Sequence, residues 1–205
     1  MNIQNLFVAA LIGYLFGNIQ MAYILGQLVR HIDIREHGTT NAGASNATVV
    51  LGWRYGILTG LGDVLKATAA VLLIKALYPN VPGLGFIAGG CAVLGHIYPM
   101  VMKFRGGKGI AALVGTLLAL NGWVGLASIL FIAFFLILLD YIAISSIALY
   151  VFLPFIVAFF FRYSLNPIAL ACIISAVGIY KHLSNIRNIR AGTEVGLRAV
   201  LKRKA

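Results

Sequence analysis

Three short polar segments hold the residue types that could do chemistry. The first, Gly38-Thr39-Thr40-Asn41-Ala42-Gly43-Ala44-Ser45-Asn46-Ala47-Thr48, is built only from Gly, Ala, Ser, Thr and Asn. Such a run suits tight backbone turns and offers many hydrogen-bond donors, so it reads as facing a ligand rather than as plain surface loop. The second is Lys103-Phe104-Arg105-Gly106-Gly107-Lys108-Gly109. Its glycines permit a concave run of N–H groups, cations flank them and a helix start should follow, which is the chemistry of a phosphate cradle. It is not a Walker A loop, because the Gly-x4-Gly-Lys-Ser/Thr register is absent. A basic turn that merely sets topology is the plainer alternative. In the third, Tyr180-Lys181-His182-Leu183-Ser184-Asn185, His182 and Asn185 stand three apart and share a face if a helix continues through them.

Other polar residues interrupt apolar sequence. Asp63 and Lys66 are three apart and can pair within one helix; intramembrane charges of this kind face a bundle interior or a cavity. His96 lies in Leu94-Gly95-His96-Ile97-Tyr98-Pro99 with no Cys or carboxylate at metal-ligand spacing, so no metal or other cofactor is expected. Asn18 and Gln20 are expected to make interhelical hydrogen bonds.

The elements that must position these residues are membrane helices. Of the 205 residues, 61% are hydrophobic and 10% charged, and the mean hydropathy is +0.96; a soluble domain of this size needs more polar surface. The net charge of +11 does not point to nucleic acid, because the basic residues lie between apolar runs of bilayer-spanning length. Those runs predict an all-α bundle of seven transmembrane helices near 5–29, 55–77, 84–102, 110–120, 122–139, 141–161 and 165–181, forming one domain with a basic tail over 182–205. The tail, with Leu197, Val200 and Leu201 among basic residues, reads as a frayed cationic tail or a short interfacial helix.

The fourth run is short. If Asn121-Gly122 is a turn, thirteen of the sixteen Lys and Arg fall on one face, which the positive-inside rule makes cytoplasmic. Without that turn the basic tail would lie opposite the basic loops. Seven spans are therefore expected, with the amino terminus outside and the carboxyl terminus in the cytoplasm. Met1 to Asn5 carries no Lys or Arg, so no cleavable signal is expected, and Cys91 and Cys172 read as packing residues.

Together the three segments resemble the bacterial acyl-phosphate:glycerol-3-phosphate acyltransferases, the PlsY family. The similarity runs almost end to end and includes Asp33-Ile34-Arg35, Leu51-Gly52, Asp63 with Lys66, Leu94-Gly95-His96-Ile97-Tyr98-Pro99 and Phe104-Arg105-Gly106-Gly107-Lys108-Gly109. The resemblance implies a seven-span enzyme of the bacterial cytoplasmic membrane with its site on the cytoplasmic face. Such an enzyme moves a fatty acyl group from acyl phosphate to the 1-hydroxyl of glycerol 3-phosphate, giving lysophosphatidic acid and phosphate, the first step of phospholipid synthesis. It needs no cofactor, no acyl carrier protein and no stable protein partner; its partners are its two substrates and membrane lipid. On this reading Lys108, Arg105 and the Gly106 and Gly107 amides contact phosphate, with His96 beside them. Thr39, Asn41, Asn46, His182 and Asn185 orient acceptor and acyl group, and either His182 or a substrate phosphate takes the hydroxyl proton.

The sequence departs from the family pattern in places. Thr39 and Ser45 replace Ser and Thr, and Thr40 stands where a Gly is usual, although Thr does not readily adopt positive φ. An expected Arg is Val49, with Arg54 nearby as a possible substitute; in the last motif Lys181 and Leu183 stand where Arg is usual. Each lost charge-assisted phosphate contact costs about 1.5–3 kcal/mol. A divergent paralogue with changed substrate or lost catalysis is thus a second reading. A small transporter is a third, though no matching halves are visible.

Overall fold

The computed structural model describes residues 1–202, with side chains through Ala199. Among the described residues every regular element is helical, in two compact units, Met1–Gly125 and Leu126 onward.

In the first unit, α1 (Ile3–Gly17) and α2 (Met21–Arg30) together make up the first apolar run. They are separate helices within one candidate span, Ile3–Arg30, which matches the apolar run expected over 5–29. Asn18 stops α1 by returning its Nδ2 to the Tyr14 carbonyl at 2.7 Å, while its Oδ1 accepts the Met100 N–H at 2.7 Å. The other elements are α3 (Ala44–Leu51), α4 (Trp53–Leu77), α5 (Leu84–Ile97) and α6 (Ile110–Leu120). Nearly every residue of α5 is buried. Its Gly- and Ala-rich face lets α1 approach to backbone contact: a methyl on Gly13 or Gly17 would overlap the carbonyl of Ala88 or Ala92, a small-xxx-small seam.

α7 (Gly122–Leu139) begins one residue after α6 ends. The expected turn is present: Asn121 is extended (φ −156) and its Oδ1 accepts the N–H groups of Trp123 and Val124 at 3.0 and 3.2 Å. Asn121 thus caps α7.

The second unit holds most of α7, α8 (Ile142–Phe155) and α9 (Leu165–Arg190), then α10 (Leu197–Lys202). Pro154 lies inside α8, and the next turn, Ile156–Phe160, widens to a π-helix; a proline ring displaces the carbonyl four residues back. α9 does not end at Lys181. It continues to Arg190, so the expected tail over 182–205 is helical for its first nine residues. At 26 residues it is about 39 Å long, more than the roughly 30 Å of bilayer hydrocarbon. The segment after it is clasped to the α7–α8 turn: Leu197 N–H donates to the Asp140 carbonyl at 2.8 Å and Arg198 N–H to its carboxylate at 2.7 Å. Of the tail residues considered above, the side chains of Val200 and Leu201, and Arg203 to Ala205 entirely, lie outside the described residues.

Among the described residues, six helical segments are long and apolar enough to cross a bilayer: Ile3–Arg30, Trp53–Leu77, Leu84–Met102, Gly122–Leu139, Ile142–Phe160 and Leu165–Arg190. The seventh, α6, has 11 residues, about 16 Å.

Candidate functional site

The small polar loop is organised by Asn46. Its side chain is fully buried. Its Nδ2 lies 2.9, 3.0 and 2.9 Å from the carbonyls of Ile34, His37 and Asn41, and its Oδ1 accepts the Thr39 N–H at 2.7 Å. That uses both amide hydrogens and one of the two acceptor positions of Oδ1, so Asn46 holds the loop together. Asn41 is only half-buried; its Nδ2 donates to the Thr39 carbonyl and hydroxyl at 3.0 and 2.9 Å, and its Oδ1 accepts the Gly43 N–H at 3.1 Å. The exposed Thr39 hydroxyl accepts from Asn41. Thr40 does adopt positive φ, at 56°, in the place where glycine is usual and where a β-branched residue is strained by roughly 1–3 kcal/mol.

The basic glycine loop turns through two consecutive left-handed residues, Lys103 and Phe104. The N–H groups of Gly106 and Gly107 point inward. Gly106 donates to the Ile97 carbonyl at 3.2 Å and Gly107 to the His96 carbonyl at 3.1 Å. These two amides are not the expected phosphate cradle. The glycines serve close approach instead, since a methyl on Gly106 would overlap the His96 carbonyl and one on Gly107 the His96 ring. Lys103 and Arg105 stay exposed and Lys108 is half-buried.

The two loops dock on each other. Ala42 N–H donates to the Gly106 carbonyl at 3.3 Å. Arg35 adds a second tie: its guanidinium grips the Asp33 carboxylate, lies 5.6 Å over the Tyr23 ring and donates through Nη1 to the Met102 carbonyl at 2.7 Å. Hydrogen bonding and charge from Arg35 hold the Asp33 carboxyl below its ordinary value of 3.8. Of the cations nearby, Arg54 stacks on Trp53 at 5.5 Å, at the start of α4.

Beneath the loops, Asp63 and Lys66 form the expected ion pair at 2.8 Å, and His96 Nδ1 lies 2.9 Å from the Lys66 ammonium and 3.3 Å from the Asp63 carboxylate. His96 is 2% exposed, and its Nδ1 is taken up by this pair.

In the second unit His182 and Asn185 share the buried face of α9, as their spacing requires if the helix continues. His182 Nδ1 is 2.7 Å from the Gly178 carbonyl. A carbonyl only accepts, so Nδ1 carries the proton and Nε2 is the basic nitrogen. Asn185 Nδ2 donates to Glu194 at 2.6 Å, and Asn188 Nδ2 to the other Glu194 oxygen at 3.3 Å. Sequence reasoning did not single out Glu194 as the partner of these amides, and its one signal was rarity: it is one of five acidic residues.

The family model described as glycerol-3-phosphate acyltransferase matches residues 7–192. The chain belongs to the glycerol-3-phosphate acyltransferase family. It is 36% identical to glycerol-3-phosphate acyltransferase 1 of Oceanobacillus iheyensis, covering 97% of this chain and 98% of that one. It is 39% identical to the glycerol-3-phosphate acyltransferase of Shouchella clausii over 94% of this chain and 96% of that one. Among solved structures it resembles the integral membrane glycerol 3-phosphate acyltransferase PlsY (YgiH) in its glycerol 3-phosphate form, with a TM-score of 0.83 and 30% identity over 94% of this chain and 95% of that one. All three segments that carry chemistry lie within the residues matched by the family model.

Proposed function

We propose that this membrane glycerol-3-phosphate acyltransferase uses acyl phosphate as donor, acylating the 1-hydroxyl of glycerol 3-phosphate to give lysophosphatidic acid and inorganic phosphate. The acceptor oxygen attacks the acyl carbon, the bond between that carbon and the bridging phosphate oxygen breaks, and phosphate leaves. The observation that carries this reading is the seating of the small polar loop on the basic glycine loop through Ala42 and Gly106. It gathers the Thr39 hydroxyl, Asn41, Arg105 and Lys108 at one mouth of an apolar bundle. Phosphate goes to Lys108 and Arg105, and the Thr39 hydroxyl donates to an acceptor oxygen. Acyl phosphate is already activated, so positioning and charge stabilisation suffice. The hydroxyl proton goes either to a substrate phosphate or to His182, whose tautomer makes Nε2 the accepting atom, and Asn185, held by Glu194, orients the reacting groups. The chain works as one domain and needs no stable protein partner.

We further propose seven crossings of the bacterial cytoplasmic membrane, amino terminus outside, with the acceptor site on the cytoplasmic face. The capped turn at Asn121 supports α6 as a separate, short crossing. The Asp140 clasp supports placing the α7–α8 turn and the carboxyl-terminal segment on one face, as two intervening helices require.

The test is turnover of palmitoyl phosphate and labelled glycerol 3-phosphate by purified protein in lipid, beside Lys108→Ala. Lysophosphatidic acid from the wild type and none from a normally inserted variant is expected. Equal turnover by the variant would remove Lys108 from the site, and no product from well-folded wild type would overturn the activity. A changed acceptor is the second reading, favoured by Val49, 62% exposed where an arginine is usual.

A further inference from the structure

The buried group of Asp63, Lys66 and His96 takes no part in the chemistry above, and these residues are 1%, 5% and 2% exposed. Charges are not kept in a membrane interior without extensive pairing. Lys66 finds its partners in the break of the first apolar run: besides Asp63 it donates to the Gly17 carbonyl at 3.2 Å and to the Ile19 carbonyl. Those carbonyls are available because the chain leaves the helix at Asn18. The break and the ammonium group therefore satisfy each other.

Of the three residues, His96 extends this arrangement to the loops. Its Nδ1 faces Lys66 and Asp63. Its carbonyl accepts from Gln20 at 3.2 Å and from the Gly107 N–H at 3.1 Å. The Nε2 edge of its ring is the wall against Gly107, and a methyl there would also come within 3.1 Å of the Ala42 carbonyl. Ala42 in turn donates to Gly106. One buried ring thus meets the charged pair on one edge and the seam between both phosphate-facing loops on the other.

We propose that His96 is a positioning residue for the acceptor: the Asp63–Lys66 pair fixes its ring, and the ring fixes how the small polar loop and the basic glycine loop meet. The inference rests on reading those loops as the glycerol 3-phosphate site. It predicts a defect concentrated in acceptor binding, because the loops would remain present but lose their register.

The experiment compares wild type, His96→Ala and His96→Asn in lipid, with KM and kcat for each substrate and hydrogen exchange over residues 38–43 and 103–109. Alanine is expected to raise the glycerol 3-phosphate KM at least tenfold, with kcat and the acyl phosphate KM within about threefold. It should also speed exchange of both loops together. Asparagine, whose amide reaches the Nδ1 position, should recover much of that KM. Unchanged acceptor KM together with unchanged loop exchange in a folded alanine variant overturns the proposal. So does a loss spread evenly over kcat and both KM values with asparagine giving no rescue, which is the mark of a merely structural residue. If alanine does not fold, His96→Leu, which fills the ring's place but offers Lys66 and Asp63 no polar atom, decides by the same two readouts. Absent turnover by wild type would count against the acyltransferase reading, and joint exchange of the two loops would still decide the role of His96.

Discussion

Replacing Asn46 by alanine removes the buried hydrogen bonds that draw the small polar loop onto the start of α3 and leaves the backbone positions unchanged in the first instance. The amide's two hydrogens are shared among three carbonyls at 2.9–3.0 Å, and its oxygen takes the Thr39 N–H at 2.7 Å. Counting two donated bonds and one accepted bond at about 1 kcal/mol each gives a local loss of roughly 3 kcal/mol. This falls on the loop, not on the helices, and raises its opening equilibrium about 100-fold. The Thr39 amide should then exchange about 100-fold faster, with acceptor KM rising and insertion unaffected. Asn46→Asp should do no better: it keeps the Thr39 bond but faces a carboxylate toward three carbonyl oxygens. Hydrogen-exchange mass spectrometry of the 38–46 peptide in lipid reads the effect directly. Unchanged exchange combined with a raised KM would refute the reasoning and return Asn46 to the role of a substrate ligand.

Three further outcomes follow from the geometry. Glu194→Ala frees the amides of Asn185 and Asn188 and should lower kcat about tenfold or more, the worth of a charge-assisted bond; Glu194→Gln, which keeps one acceptor, should lose less, and equal turnover in all three would show that Asn185 needs no support. Val49 and Leu183 are 62% and 46% exposed, so arginine fits at both without displacing core; each should gain about 1.5–3 kcal/mol of acceptor binding if phosphate lies within reach, read as a fall in KM, and no change would favour an altered acceptor. The Asp33 carboxyl is held below 3.8 by Arg35, so this pair contributes fully above that value and is lost as pH falls through the lowered one; exchange of the 31–37 peptide should be flat from pH 5 to 8 after correction for intrinsic rates and should rise only under stronger acid.

What the sequence could reveal was what local signals encode. Asn121 punctuates two apolar runs, and both helices end where it predicts, because an amide side chain caps whatever helix follows it. The i,i+3 spacing of Asp63 and Lys66 forced a shared face. The break at Asn18 was hidden because its compensation comes from Lys66, 48 positions away in sequence. α3 was hidden for the opposite reason: Gly, Ala, Ser, Thr and Asn read as turn-formers, yet Asn46 draws three carbonyls of the preceding loop around the first turn of a helix. α9 runs past Lys181 because leaving hydrocarbon is no reason for a helix to stop. The glycine loop misled by composition: glycines that suit an anion cradle also suit close packing, and only the direction of the Gly106 and Gly107 amides tells the two apart.

The shortness of α6 bears on how the protein is made. A segment of 11 residues has too little apolar length to partition into a bilayer alone, where about 20 are needed. On the seven-crossing reading it must enter together with α7 as a hairpin whose tip is Asn121. The side-chain cap on Trp123 and Val124 is then a biogenesis signal as well as a turn. If it fails, 110–139 enters as one long span and every later helix is inverted, so that His182 and Asn185 are delivered to the compartment opposite Lys108. A single amide at the tip of a hairpin would thus decide, during synthesis, whether the residues of one reaction meet the same pool of substrate.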